Sequence, residues 1–125
     1  ELATRALRIF KDLVHRRGEA RMLHLVAATL LAKKELRPAK GVSRTALALV
    51  RQLGDRHAEA AILLDLVRIA ILEGDYAEAL RIGEDAGRLF CEIDDRAGST
   101  AVLNVLAPVY LHQDNPDAAR RSARD

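Results

Sequence analysis

The alternation of apolar and polar positions is clearest over residues 53–89, where two apolar stripes flank a short polar segment. Apolar residues recur at three- and four-residue steps over 60–70, which places them on one face of a helix. Gly74 can then end that helix in a left-handed conformation, and Asp75 can cap the helix that follows. Small and apolar residues continue over 79–90 on one face of a second helix. The stretch therefore predicts a helical hairpin.

The same pattern recurs along the chain at an offset of 40 residues. Asp55-Arg56 returns as Asp95-Arg96, and many apolar positions keep this spacing in both directions without insertion or deletion. One hairpin cannot bury its own apolar faces, so a regular recurrence predicts hairpins stacked on one another. The predicted boundaries are a half repeat at 1–14 and repeats at 15–54, 55–94 and 95–125, the last incomplete.

The predicted fold class is all-α, with antiparallel helix hairpins and about seven helices. The helices are expected at about 1–13, 17–34, 38–52, 56–72, 76–91, 96–112 and from Pro116 onward. His15 to Gly18 is expected to connect the first two. Leu2, Ile9 and Phe10 share one side of the first helix, and we expect that side to be uncovered. An exposed apolar surface of this kind favours self-association.

Composition narrows the class of protein. A chain of 125 residues can bury one core, and with 3% aromatic residues that core must consist of Ala, Leu, Ile and Val. The net charge of +2 calls for neither nucleic acid nor a membrane surface. A single cysteine, Cys91, excludes an internal disulfide and is expected to be buried. No apolar run is long enough to span a membrane, so the predicted location is the cytoplasm.

Candidate chemistry is sparse. The four histidines lie in different repeats, no two at metal-ligand spacing on one helix, and no glycine-rich phosphate loop is present. The sequence therefore predicts neither an enzyme nor a cofactor or metal site. Nucleic-acid binding would need a basic stripe with stacking aromatics, but the arginines here alternate with acidic residues.

Residues 63–86 resemble a tetratricopeptide repeat. The matching positions are Leu63, Leu66, Val67 and Ala70 on the first helix, Gly74-Asp75-Tyr76 at the turn, and Ala79, Gly83 and Ala86 on the second helix. The unit is longer than the usual 34 residues, and Gly83 and Ser43 stand where an aromatic is usual. In its length it is similar to arrays of the kinesin light chain and Pins type. The resemblance implies a right-handed superhelix whose concave groove is lined by the first helix of each pair.

The resemblance specifies packing residues and leaves function open. It implies a scaffold that binds a peptide or protein segment in the groove, as a module of a larger protein; the alternative is a structural spacer or a self-associating array. The groove candidates are Arg21, His24, Leu31, Leu64, Arg68, Ile71, Asn104 and Leu111. The clamp of chaperone-binding members is not matched.

Among these candidates, Arg68 is expected to matter most. A guanidinium can make paired hydrogen bonds to a carboxylate, so the predicted partner is a possibly acidic segment with apolar anchors. The alternative is that Arg68 pairs with the nearby Asp65 on the surface of its own helix.

Overall fold

A computed structural model of the chain describes residues 1–114, which form five α-helices and no strand. The helices are α1 (Leu2–Ala32), α2 (Leu36–Leu53), α3 (Arg56–Glu73), α4 (Tyr76–Glu92) and α5 (Arg96–Asp114). The all-α class and the predicted positions of α2 to α5 are confirmed. The helix predicted from Pro116 onward lies outside the described residues.

The two helices predicted at 1–13 and 17–34 are one helix of 31 residues, so the predicted connector at His15 to Gly18 is wrong. The reason is local. In the 40-residue register, Val14-His15 stands where Gly54-Asp55 forms a turn. A β-branched valine is an outlier in the left-handed conformation, and histidine lacks the short oxygen-bearing side chain that caps a helix. The helix therefore continues through both residues.

The four turns between helices share one geometry. Each has a residue with positive φ: Lys34 (61°), Gly54 (70°), Gly74 (80°) and Asp94 (57°). At Gly54 the amide donates to the Arg51 carbonyl, and the next amide, of Asp55, donates to the Val50 carbonyl. The other three turns repeat this pair of bonds, which is the Schellman motif that closes helix C-termini. The turns therefore recur every 20 residues, half the repeat length.

Aspartates start three of the helices. Oδ1 of Asp55, Asp75 and Asp95 accepts a hydrogen bond from the amide three residues later, at 3.1, 3.2 and 2.9 Å. These bonds satisfy amide donors that a helix leaves free at its N-terminus. Glu35 precedes α2 without a side-chain cap, since its longer side chain does not form this bond. Turn and cap together set each helix boundary.

The chain divides into two compact units, Glu1–Ile62 and Leu63–Asp125, with the boundary inside α3. In the first unit α1 packs against α2. The contact is made by small residues, because α1 contributes only Ala20 and Ala27 as buried side chains. From α2 and the start of α3 the buried residues are Ala39, Ser43, Ala46, Leu47, Val50, Ala60 and Ile62.

In the second unit α4 packs antiparallel against α5 through close contacts at glycines. A Cβ added to Gly83 would lie 3.1 Å from Cγ of Leu106, and one added to Gly98 would lie 2.7 Å from Cγ of Phe90. Real Cβ atoms rarely show such distances. Gly83 therefore serves packing, as the small-residue face of α4 predicts.

Three side chains expected inside are exposed: Leu103, Ala107 and Cys91. Leu103 and Ala107 lie on a side of α5 that is open to solvent, and Cys91 lies in the last turn of α4. The repeat register identifies equivalent faces, but burial depends on whether another element covers each one. In the described part of the chain, no helix is long and apolar enough to cross a membrane.

Candidate ligand-binding site

Three basic side chains of α1 line a cavity in the first unit. Arg17, Arg21 and His24 are spaced four and three residues apart, which places them on one face of the helix. The cavity they border has a volume of about 120 Å³. Because α1 continues through Arg17 without a break, its helical geometry alone aligns the three side chains.

The remaining walls come from α1, α2 and the start of α3. Most of the lining residues are apolar: Ala20, Val50, Leu53, Ala58 and Ile62. Asp55 adds one carboxylate, whose Oδ1 accepts the capping hydrogen bond from the Ala58 amide. The Schellman turn at Gly54 brings the end of α2 and the beginning of α3 together at this point. The cavity therefore depends on a turn and a cap that the sequence specifies locally.

The charges around the cavity favour an anion. Two guanidinium groups face one carboxylate, and His24 adds a further positive charge whenever it is protonated. Arginine presents a fork of donors that matches a carboxylate, and nearby apolar walls strengthen such a bond by lowering the local dielectric. The volume is well below the roughly 300–1,000 Å³ of pockets for drug-sized ligands. The space suits the carboxylate end of one side chain or of a peptide terminus.

The structure brings two predicted groove residues, Arg21 and His24, to this cavity. Leu31 lies near the end of α1, is partly exposed and does not line the cavity. Arg17 and Asp55 were missed as site residues, because Arg17 was assigned to a connector and Asp55 to a cap. Treating residues 2–32 as one helix would have aligned Arg17 with Arg21 and His24.

In the second unit the predicted candidates on α3 have different surroundings. Leu64 is 8% exposed and therefore belongs to the core. Arg68 is the only exposed residue between Ile62 and Ala70, and its Nη1 lies 3.0 Å from Oδ1 of Asp65. This is the pairing that the sequence left open as an alternative. Ile71 is partly exposed one turn further along the helix.

The candidates on α5, Asn104 and Leu111, are both exposed and lie on similar faces of the helix. Leu103 beside Asn104 is exposed as well, so this part of α5 presents apolar surface around one amide. The surface is open and carries no opposing wall within the description of α5. It offers contact area without a defined recognition point.

A second, shallower cavity lies at the turn between α4 and α5, with a volume of about 340 Å³. It is lined by Phe90, Cys91, Asp94, Asp95, Arg96, Ser99 and Thr100. Sγ of Cys91 lies 3.7 Å from Oγ of Ser99, and no histidine lines the cavity to act as a base. Over the described residues, no group of three or more His, Cys, Asp or Glu side chains is placed to hold a metal ion.

Comparison with known proteins adds no assignment. The sequence matches no protein-family model, and no curated protein matches it significantly.

Proposed function

We propose that this chain is a helical-repeat scaffold that binds a carboxylate-bearing peptide or protein segment through the cationic cavity of its first unit. The observation that carries the proposal is the alignment of Arg17, Arg21 and His24 along an apolar-walled cavity. The four identical turns and the tetratricopeptide-like residue pattern support a scaffold role. A helical array of this kind presents side chains from successive helices to an extended ligand.

Within the proposal, Arg21 ranks above Arg68. The guanidinium of Arg68 already holds the carboxylate of Asp65, and a ligand would have to compete with that internal partner. Arg21 lines a cavity in which apolar residues restrict access of water, so a carboxylate bound there gains more from each hydrogen bond. Asp55 opposes the ligand, because it places a like charge in the same cavity.

A binding titration with matched peptides tests the proposal. Peptides carrying Asp or Glu are compared with versions carrying Asn or Gln, so that size and shape are conserved. Arg21→Gln should weaken binding of the acidic peptides by about tenfold or more, because a charge-assisted hydrogen bond contributes roughly 1.5–3 kcal/mol. Arg44→Gln, an exposed residue of α2 outside the cavity, removes the same charge as a control.

Asp55→Asn sharpens the test in the opposite direction. Asparagine keeps the cap of α3 but removes the carboxylate from the cavity, so acidic peptides should bind more tightly. Equal losses for Arg21→Gln and Arg44→Gln would show general charge attraction instead of a site. Unchanged binding in all three variants would refute the proposal.

A second function, self-association, is favoured by a separate observation. The first half of α1 exposes Leu2, Leu7, Ile9, Phe10 and Leu13. Single exposed apolar residues are common, but a contiguous group is typical of an interaction surface.

A further inference from the structure

Helix α1 contains, within one continuous helix, the two halves of an interface that α4 and α5 form as a hairpin. In the hairpin, three positions of α4 contact three positions of α5 in antiparallel order. The contacting pairs are Gly83 with Leu106, Gly87 with Val102, and Phe90 with Gly98. Glycine stands opposite a larger side chain in every pair, which lets the two helices approach closely.

The residues eighty positions earlier all lie on α1. They form the pairs Ala3 with Val26, Leu7 with Met22, and Phe10 with Gly18. All six are exposed, with Phe10 at 64% and Met22 at 67%. A Cβ built on Gly18 would meet nothing within 4 Å, whereas Gly98 is covered by the ring of Phe90. The chain thus carries the residues of this interface twice but forms it once within the part described.

Helix α1 cannot form these contacts within itself. Phe10 and Gly18 are separated by about 12 Å along a continuous helix, and Ala3 and Val26 by almost three times that distance. The hairpin would need a turn at Val14-His15, where the sequence has neither glycine nor aspartate. The two halves of the interface are therefore both present and held apart.

We propose that a second copy of this chain covers α1, through an antiparallel pairing of the two α1 helices that crosses at Val14-His15. The midpoints of all three pairs fall at residues 14–15, so a two-fold axis there forms every pair twice. Such an interface is isologous, the commonest arrangement in homodimers. It is also a domain swap, because each helix supplies to its partner what a turn would have supplied within one chain.

Charges flanking this face agree with the pairing. Arg51 and Glu59, on either side of the Gly54-Asp55 turn, form an ion pair with 3.0 Å between Nε and Oε2. Forty residues later the equivalent side chains, Cys91 and Ser99, lie 3.7 Å apart. Forty residues earlier the equivalents are Lys11 and Glu19, again of opposite charge.

Lys11 and Glu19 lie eight residues apart on α1, beyond the three- and four-residue spacings at which helical side chains pair. In the antiparallel dimer, Lys11 of each copy faces Glu19 of the other. The dimer leaves the cationic cavity open, because Arg17 and Arg21 are rotated by about 100° from Gly18 and Met22 around the helix. Dimerisation and peptide binding are therefore separable.

Analytical ultracentrifugation of the 125-residue chain tests the pairing. The wild type should be in monomer–dimer equilibrium, and Phe10→Ser or Met22→Ser should raise the dissociation constant by tenfold or more. Ile9→Ser is the matched control. Ile9 is similarly exposed, at 60%, but lies about 100° around the helix from Phe10, so its replacement should change the constant by less than threefold.

A charge exchange identifies the partner face. Lys11→Glu and Glu19→Lys should each weaken the dimer, because each places like charges opposite one another across the two-fold axis. The double variant should restore the wild-type constant. A double variant as weak as the single variants would overturn the antiparallel register, and a wild type that stays monomeric at millimolar concentration would overturn the dimer itself.

Turn insertion provides a second readout. Val14→Gly with His15→Asp reproduces Gly54-Asp55 and should close the hairpin within one chain, giving a monomer that keeps its helical circular dichroism. Val14→Ala with His15→Ala should remain dimeric, because alanine continues the helix. A Gly-Asp variant that dimerises as strongly as the alanine variant would refute the swap.

Discussion

Phe10 and Phe90 occupy the same position of the 40-residue register, yet 64% of Phe10 is exposed and only 5% of Phe90. Each is followed eight residues later by a glycine, Gly18 and Gly98. After Phe90 the chain turns at Asp94-Asp95 and returns, so that Gly98 lies under the ring. After Phe10 the chain continues as helix. Similar residues therefore have opposite environments because of two residues between them.

The comparison shows that in this repeat the turn decides burial. The apolar pattern makes an interface available, but the local conformation at two positions determines whether the chain folds back to use it. Equivalent substitutions eighty residues apart can measure this difference directly. Each should be followed by urea denaturation below the concentration at which the chain self-associates.

The largest difference is expected for the phenylalanines. Phe90→Ala should lower the free energy of unfolding by about 3–5 kcal/mol, because it removes a buried ring and leaves a cavity. Phe10→Ala should change the free energy of unfolding of the monomer by less than about 0.5 kcal/mol, as is usual for surface positions. Equal losses would mean that Phe10 is covered within its own chain.

Overfilling should separate Gly83 from its equivalent, Ala3. Gly83→Leu should cost about 1–3 kcal/mol, because the new side chain must occupy space held by Leu106. Ala3→Leu lies on an exposed face and should be neutral within about 0.5 kcal/mol. If Gly83→Leu leaves the unfolding midpoint unchanged, the packing of α4 on α5 is not as described.

Alanine at the two glycines should have effects of opposite sign. Gly98→Ala forces its Cβ against the Phe90 ring and should lower the free energy of unfolding by about 1–2 kcal/mol, within the usual cost of overpacking. Gly18→Ala meets open space and should raise it by up to about 1 kcal/mol through helix propensity. A loss of stability in the monomeric Gly18→Ala variant would contradict the continuous helix.

The smallest effect is expected at the residues that make or omit the turn. Asp95→Ala removes the cap on the Gly98 amide and should cost about 1 kcal/mol. His15→Ala lies in a helix interior and should be neutral or slightly stabilising, by less than about 0.7 kcal/mol. Circular dichroism at low temperature would show helix lost in the first variant only.

Much of the secondary structure could be predicted from sequence because its signals are local. Gly54 and Gly74 end helices since glycine adopts positive φ without strain, and an aspartate after each starts the next helix. The absence of these signals at Val14-His15 was also readable, but the repeat register suggested a connector there. The alanine face of α2 was equally predictable, because its spacing follows the helical period.

What only the tertiary structure decided is which faces are covered and which distant residues meet. Leu64 is buried and Leu103 exposed, although both follow the helical period, because burial depends on the neighbouring element. The cavity joins Arg17 and Arg21 to Asp55, more than thirty residues away in sequence. A periodic pattern specifies positions on one helix, but a contact between two helices depends on packing that the pattern does not contain.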